Sequence, residues 1–246
     1  MTQGYGDFGS VSKAYDEARQ GFPEGVIQYF WTFIEDSSPI VLDVGCGTGI
    51  ATRQLVKPGV RIFGSDKDAA MIKIAKEKGP REITYVVAQT DNLPFKDEQF
   101  SAITAFSAFH WFSDKESISE VRRILKKGGL FFVANKNDVG NFKKGYKTVL
   151  NPFIRGELPN IKRNYSPVDI FRENSFAAIE ERHFSTSECF TFSQAVSYPQ
   201  SMSIWNLVPE IKRQEAYGAI EKYCEKKLEG EKIERGLDIL VVAGKK

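Results

Sequence analysis

The chain has 246 residues, 34 Lys and Arg against 32 Asp and Glu, and a formal net charge of +2. That length suits one generous domain, or one with a large insertion, and 41% apolar residues can build a core without disulfides or metal staples. The near-neutral balance argues against a dedicated nucleic-acid binder, and two histidines cannot by themselves build a His-rich metal site.

The first ten residues, MTQGYGDFGS, lack the apolar stretch of a signal peptide. From Ile40 the chain alternates short apolar runs with amphipathic ones. Ile40 to Val44 reads as a buried strand closed by the glycines of GCGTG, and residues 50–56 suit a helix stopped by Lys57-Pro58-Gly59. Val60 to Gly64 is a second strand, ending at Ser65-Asp66. The stretch from Asp68 to Lys78 puts Met71, Ile72 and Ala75 on one helical face. A third strand, Ile83 to Ala88, leads into the loop QTDNLPFKDEQ, and a fourth runs from about Phe100 to Phe106. Ser113 and Glu116 form a candidate capping box for the next helix, which Gly128-Gly129 would end. Leu130 to Ala134 is a fifth strand. Strands separated by helices of this length predict a doubly wound, Rossmann-like α/β fold with a mostly parallel sheet.

After residue 135 the rhythm changes. Residues 140–172 carry seven Lys and Arg against Glu157 and Asp169. A strand near Ile179 to Phe190 follows, then an uncharged run over 189–209 that is long enough to cross a bilayer but too rich in Ser, Gln and Pro for lipid. A charged helix is expected over about 210–228, and Leu237 to Ala243 is a last apolar strand. Cys46, Cys189 and Cys224 form no CxxC pair, so a reducing, cytoplasmic setting is expected.

The informative motif is LDVGCGTG, in which a buried strand runs into Gly45, Gly47 and Gly49 and then a helix. Glycines in that place let the backbone turn sharply and let a ligand lie on the main chain. A tight strand-to-helix turn would use the same residues. The dinucleotide fingerprint would need Gly or Ala where Ile50 stands, and a P-loop would need a following Lys-Ser/Thr.

GxGxG preceded by Asp43 resembles the pattern of class I S-adenosylmethionine-dependent methyltransferases. The resemblance covers residues 40–135 and returns at the final strand. IFGSD resembles the family's acidic position, where Asp66 would accept both ribose hydroxyls. AQTDNLPF resembles its adenine loop, with Gln89 where Asp is usual and the Thr90 amide beside it. RRILKKGGLFFVA resembles the RVLKPGG turn. AFHWF after the fourth strand, and SKAYDEARQGFP at 12–23, are similar to the small-molecule branch that includes quinone, trans-aconitate and biotin-pathway enzymes. The resemblance implies a seven-stranded sheet with an antiparallel last strand and a helical cap. It also implies S-adenosylmethionine held by Arg19, Asp43, Gly45, Cys46, Gly47, Asp66, Lys67, Met71, Gln89, Thr90 and Ser107. Arg19 would take the methionine carboxylate, and Met71 would either pack on adenine or fill the core.

Methyl transfer from a sulfonium needs positioning and exclusion of water rather than a metal. His110, at a strand's carboxyl end, is the candidate general base; its other reading is to fix the loop beside Trp111. The expected organisation is one domain over 1–246, with a cofactor core of about 36–136 plus 237–246. Cap elements would lie near 1–30, 140–172 and 189–230. Phe190, Phe192, Tyr198, Met202 and Trp205 would either line an apolar acceptor pocket or form the cap's core. The local basic surplus at 140–172 is either a solvated face or a sign of an anionic acceptor. The expected acceptor is a small anionic or aromatic metabolite, on a monomer or weak homodimer with no nucleic-acid or membrane partner. The alternatives are a nucleic-acid or protein methyltransferase, and a non-catalytic binding module.

Overall fold

The computed structural model of the chain describes residues 11–154, 165–228 and 230–246. They group into two compact units. One takes 11–20, 137–154 and 185–238, apart from residue 229; the other takes 21–136, 165–184 and 239–246. The cofactor core expected at 36–136 plus 237–246 falls almost wholly in the second. Residues 21–30 and 165–172, expected in the cap, also belong there. The basic residues Arg155, Lys162 and Arg163 lie outside the described residues.

Helices α1 (Ser12–Ala18) and α2 (Glu24–Trp31) precede the first strand. A single N-terminal helix over 12–23 is not formed. α1 ends at Ala18, Arg19 is extended, and Pro23 stands at the N-cap of α2. Then follow β1 (Ile40–Val44), α3 (Ile50–Gln54), β2 (Arg61–Asp66), α4 (Ala69–Lys78), β3 (Ile83–Val87), β4 (Phe100–Phe106) and α5 (Lys115–Ile124). The remainder runs β5 (Leu125–Val139), α6 (Phe142–Leu150), α7 (Pro167–Glu173), β6 (Ala177–Thr191), α8 (Phe192–Ser197), α9 (Arg213–Glu225) and β7 (Lys232–Lys245).

The sheet order is β3-β2-β1-β4-β5-β7-β6. β1 pairs in parallel with β2 and β4, β2 with β3, and β4 with β5. β7 is antiparallel to β5: Gly128 N–H donates to the Lys246 carbonyl at 3.0 Å, and Lys246 N–H to that of Gly129 at 2.9 Å. The seven-stranded sheet with one reversed strand is as expected. Chain order reverses between β1 and β4, and in open α/β sheets that switch point opens a crevice at the strands' carboxyl ends.

Two local expectations are corrected. Asp114, not Ser113, caps α5, with Oδ1 accepting Ser117 N–H at 2.8 Å. A carboxylate one residue nearer the helix suits both the orphan amides and the helix dipole. Gly128-Gly129 do not end that helix, which stops at Ile124. They sit in an irregularity of β5, where pairing jumps from Phe100–Leu125 to Ala102–Leu130.

Each unit has its own core. In the unit carrying β1–β4, Leu42, Phe100, Ile103, Phe109, Val121, Phe131 and Phe171 are buried together. In the other, Tyr146, Phe190, Tyr198, Met202, Trp205 and Ile220 are buried together, with Phe192 packed against them. Of the two readings of the aromatic run at 189–209, cap core describes these side chains.

Candidate functional site

The glycine loop leaves β1 with Gly45, Gly47 and Gly49 at φ of 67°, 55° and 76°. All three lie in the left-handed region that L side chains rarely adopt. At Gly45 a Cβ would also come within 2.7 Å of the Ala108 Cβ and 3.0 Å of the Phe112 ring, so the β4 loop excludes a side chain. At Gly47 a Cβ would meet nothing within 4 Å. The loop therefore turns over a filled base and presents an open main chain at its middle glycine.

Asp66, at the end of β2, faces this loop. Its Oδ2 accepts Gly47 N–H at 2.9 Å and its Oδ1 accepts Asp68 N–H at 2.9 Å. Each carboxylate oxygen accepts more than one hydrogen bond, so both keep capacity for a vicinal diol. Burial raises the Asp66 pKa, while the two amide bonds oppose that rise by favouring the ionised form. Ala88 N–H donates to the Asp66 carbonyl at 3.0 Å, which starts the loop after β3 beside this acid.

Asp43 lies beneath the loop and is buried. Thr52 of α3 donates to Oδ2 at 2.6 Å and Thr104 of β4 to Oδ1 at 3.0 Å. Burial dominates over both bonds and pushes its pKa up to about 7. This acid ties β1, α3 and β4 together under the glycines. Cys46 is half-buried, and burial with the nearby Asp43 and Asp66 raises its pKa.

Met71 is 3% exposed on the first turn of α4, whose cap Asp68 accepts the Ala70 and Met71 amides. Lys67 and Gln89 are exposed, and Thr90 is half-buried. Ser107, just past β4, has φ 54° and accepts Lys136 N–H at 3.3 Å. A non-glycine residue held in that region carries backbone strain. His110 lies in the turn that follows (Phe109–Trp111), with its ring centroid 5.0 Å from Trp111 and 6.0 Å from Tyr165.

Arg19 belongs to the other unit. Its Nη1 donates to Tyr198 Oη at 2.7 Å, Nε to Ser201 Oγ at 2.9 Å and Nη2 to the Ser201 carbonyl at 2.9 Å. Three of its five N–H donors are thus committed within that unit.

Sequence reasoning missed several residues. Among buried side-chain atoms without a hydrogen-bond partner are Thr48 Oγ1, Ser65 Oγ, Tyr85 Oη and Asn135 Oδ1. Thr48 lies in the glycine loop, Ser65 near the end of β2, Tyr85 within β3 and Asn135 within β5. Asn135 Nδ2 donates to Tyr165 Oη at 3.2 Å. Asn135 carried one signal, as a polar residue closing the run Leu130 to Ala134; Tyr165 carried none. Among the described residues no cluster of three or more His, Cys, Asp or Glu could hold a metal, and no helix is long and apolar enough to cross a membrane.

Residues 42–133 match the family described as "Methyltransferase domain". The chain is 23% identical over 212 residues to an uncharacterised methyltransferase-like protein of Schizosaccharomyces pombe, covering 85% of this chain and 82% of that one. It is 30% identical over 132 residues to an uncharacterised methyltransferase of Mycobacterium bovis, spanning 53% of each chain. Among solved structures it resembles Haemonchus contortus phosphoethanolamine N-methyltransferase 2, in complex with phosphomonomethylethanolamine and S-adenosylhomocysteine. That likeness has a TM-score of 0.56 at 18% identity, and covers 97% of this chain and 57% of that one.

Proposed function

We propose that this chain, a class I S-adenosylmethionine-dependent methyltransferase, methylates a small anionic or aromatic metabolite held at the carboxyl end of β4. The observation that carries the cofactor reading is the bond from Gly47 N–H to Asp66 Oδ2. It sets the open middle of the glycine loop against a carboxylate that can take a ribose diol. The residues fit such a group: Gly47 leaves room over the main chain, and Asp66 keeps accepting capacity on both oxygens.

In this reading Gly45, Cys46 and Gly47 carry the methionine side of the cofactor along the backbone, and Asp66 fixes the ribose. Gln89 and the Thr90 amide meet the adenine edge, Met71 packs beside the base, and Asp43 and Ser107 shape the loop and strand ends. When bound, the sulfonium supplies a strongly activated methyl group, and the protein's part is alignment and exclusion of water. His110 is the residue placed to take a proton if the accepting atom must lose one; a carboxylate acceptor needs none.

Calorimetry with S-adenosylmethionine and with NADH tests the cofactor. We expect binding of the first and none of the second; tight binding of NADH alone would refute the reading. Asp66→Ala should lose most of the affinity. A metabolite screen with labelled methyl donor tests the acceptor class. Labelling of small acids or phenols is expected, and labelling confined to RNA or protein would overturn it.

A further inference from the structure

We propose that Glu120 and Arg123 of α5 are positioning residues for base recognition, acting through the peptide of Leu93 on the loop after β3. This rests on the reading above that Gln89 and Thr90 meet the adenine edge.

Both backbone polar groups of Leu93 bond this pair, and the carbonyl also accepts Phe95 N–H at 2.8 Å. Leu93 N–H donates to Glu120 Oε1 at 2.9 Å, and Arg123 Nη2 donates to the Leu93 carbonyl at 3.2 Å. Arg123 Nη1 also donates to the Phe95 carbonyl at 2.9 Å. The guanidinium is itself oriented by Glu120, through Nε to Oε2 and Nη2 to Oε1, each at 2.7 Å. The spacing Glu-x-x-Arg puts both side chains on one helical face, one turn apart. A planar fork meeting a carboxylate on one edge and carbonyls on the other is work that lysine cannot do. Asp97 also bonds Arg123, but with 76% of its side chain exposed it faces water; Glu120, at 14%, is the anchoring partner.

The loop does not need this clamp to stay attached. Leu93 is 3% exposed in the core, and the Phe95 ring packs edge-on against Phe63 and Phe100 at centroid distances of 5.7 and 4.9 Å. Those apolar anchors fix where the loop sits. Glu120 fixes the rotation of the Asn92–Leu93 peptide, and Arg123, together with Phe95 N–H, that of the Leu93–Pro94 peptide. From there the chain runs back through a turn closed by Asn92 N–H to the Gln89 carbonyl at 3.1 Å, so peptide rotation at Leu93 reaches Thr90 within three residues.

The consequence is base selectivity. The Gln89 amide can turn over to suit either an amino group or a carbonyl, whereas a backbone N–H cannot. Thr90 N–H pointed at ring nitrogen N1 accepts adenine and opposes hypoxanthine, whose N1 carries a hydrogen.

The test is calorimetry of S-adenosylhomocysteine and S-inosylhomocysteine on the parent, Arg123→Lys, Glu120→Gln and Asp66→Ala, with melting temperatures alongside. The parent should prefer the adenosyl ligand. Arg123→Lys should shrink that preference roughly three- to tenfold, the order of one misdirected hydrogen bond. Glu120→Gln, which keeps an oxygen for Leu93 N–H, should retain most of it. An unchanged preference in Arg123→Lys, with only a lower melting temperature, would make the pair a plain structural staple and overturn the proposal. If Asp66→Ala binds S-adenosylhomocysteine like the parent, the underlying site reading fails instead.

Discussion

Tyr85 of β3 fills the space where a side chain on Gly49 would stand, so that a Cβ there would collide with its hydroxyl. The same ring closes off Gly64, where a Cβ would lie 2.8 Å from Cδ1, and Gly79, where it would lie 2.8 Å from Cε2. One tyrosine thus packs on the bare main chain of three glycines, one of them in the cofactor loop. The glycine loop after β1 is thus packed by a side chain from β3, two strands away in the sheet.

Gly47 and Gly49 should therefore respond differently to alanine. Gly49→Ala adds a collision to an unfavourable φ and should cost roughly 2–4 kcal/mol in urea unfolding. Gly47→Ala meets no atoms and should cost about 1 kcal/mol, the left-handed backbone penalty alone. Calorimetry should nevertheless show Gly47→Ala with at least tenfold weaker binding of S-adenosylmethionine, because its methyl occupies the open main chain. Equal unfolding costs for the two variants would contradict this division of roles.

Asp43 should make stability depend on pH. Its folded pKa of about 7 lies above the ordinary carboxylate value near 3.9, so between those limits the folded state holds a proton that the unfolded state has lost. The stabilisation from that proton is complete below about pH 4 and disappears as pH rises through 7, on the order of 2–4 kcal/mol. Asp43→Asn cannot titrate and should flatten the urea-unfolding profile between pH 5 and 8. A parental slope in the variant would assign the effect to other groups.

How much of this could be read from sequence follows from the range of the interactions. β4 lies at Phe100–Phe106 as expected, because a short, almost wholly buried apolar run and a following loop are local signals. β5 and β7 run to 15 and 14 residues, well past the apolar runs that announced them. Their extensions hold polar residues such as Asp138 and Arg235, whose partners stand 97 positions apart. The Asp66 and glycine positions were legible because a strand end and its turn are contiguous. Tyr85, Arg123 and Tyr165 were not, since each acts on residues distant in the chain. Arg19 carried a helical motif, yet its described partners, Tyr198 and Ser201, are about 180 residues away.

Arg235 should be among the most sensitive positions in the unit that holds it. Its side chain is 1% exposed and bonds Asp138 through Nε at 2.7 Å and Glu188 through Nη1 at 2.8 Å. Removing the cation would leave two carboxylates facing each other with little water, so Arg235→Leu should cost about 3–5 kcal/mol. Adding Asp138→Asn and Glu188→Gln to that variant should restore part of the loss. Chemical unfolding of the single and triple variants measures it, and a single variant as stable as the parent would contradict it.

Asn135 and Tyr165 should behave as a coupled pair. Tyr165→Phe leaves the Asn135 amide, only 3% exposed, with neither its nitrogen nor its oxygen bonded among the described residues, at a cost of about 1–3 kcal/mol. Replacing both, as Tyr165→Phe with Asn135→Leu, removes the orphaned groups together and should recover stability toward the parent, because an unmade buried hydrogen bond costs more than an absent one. A double-mutant cycle in urea reads the coupling directly. If the pair also faces the methyl acceptor, the stable double variant should lose labelled methyl transfer while binding S-adenosylmethionine with parental affinity. Retained transfer would make Asn135 and Tyr165 a core hydrogen bond beside the acceptor rather than part of its recognition.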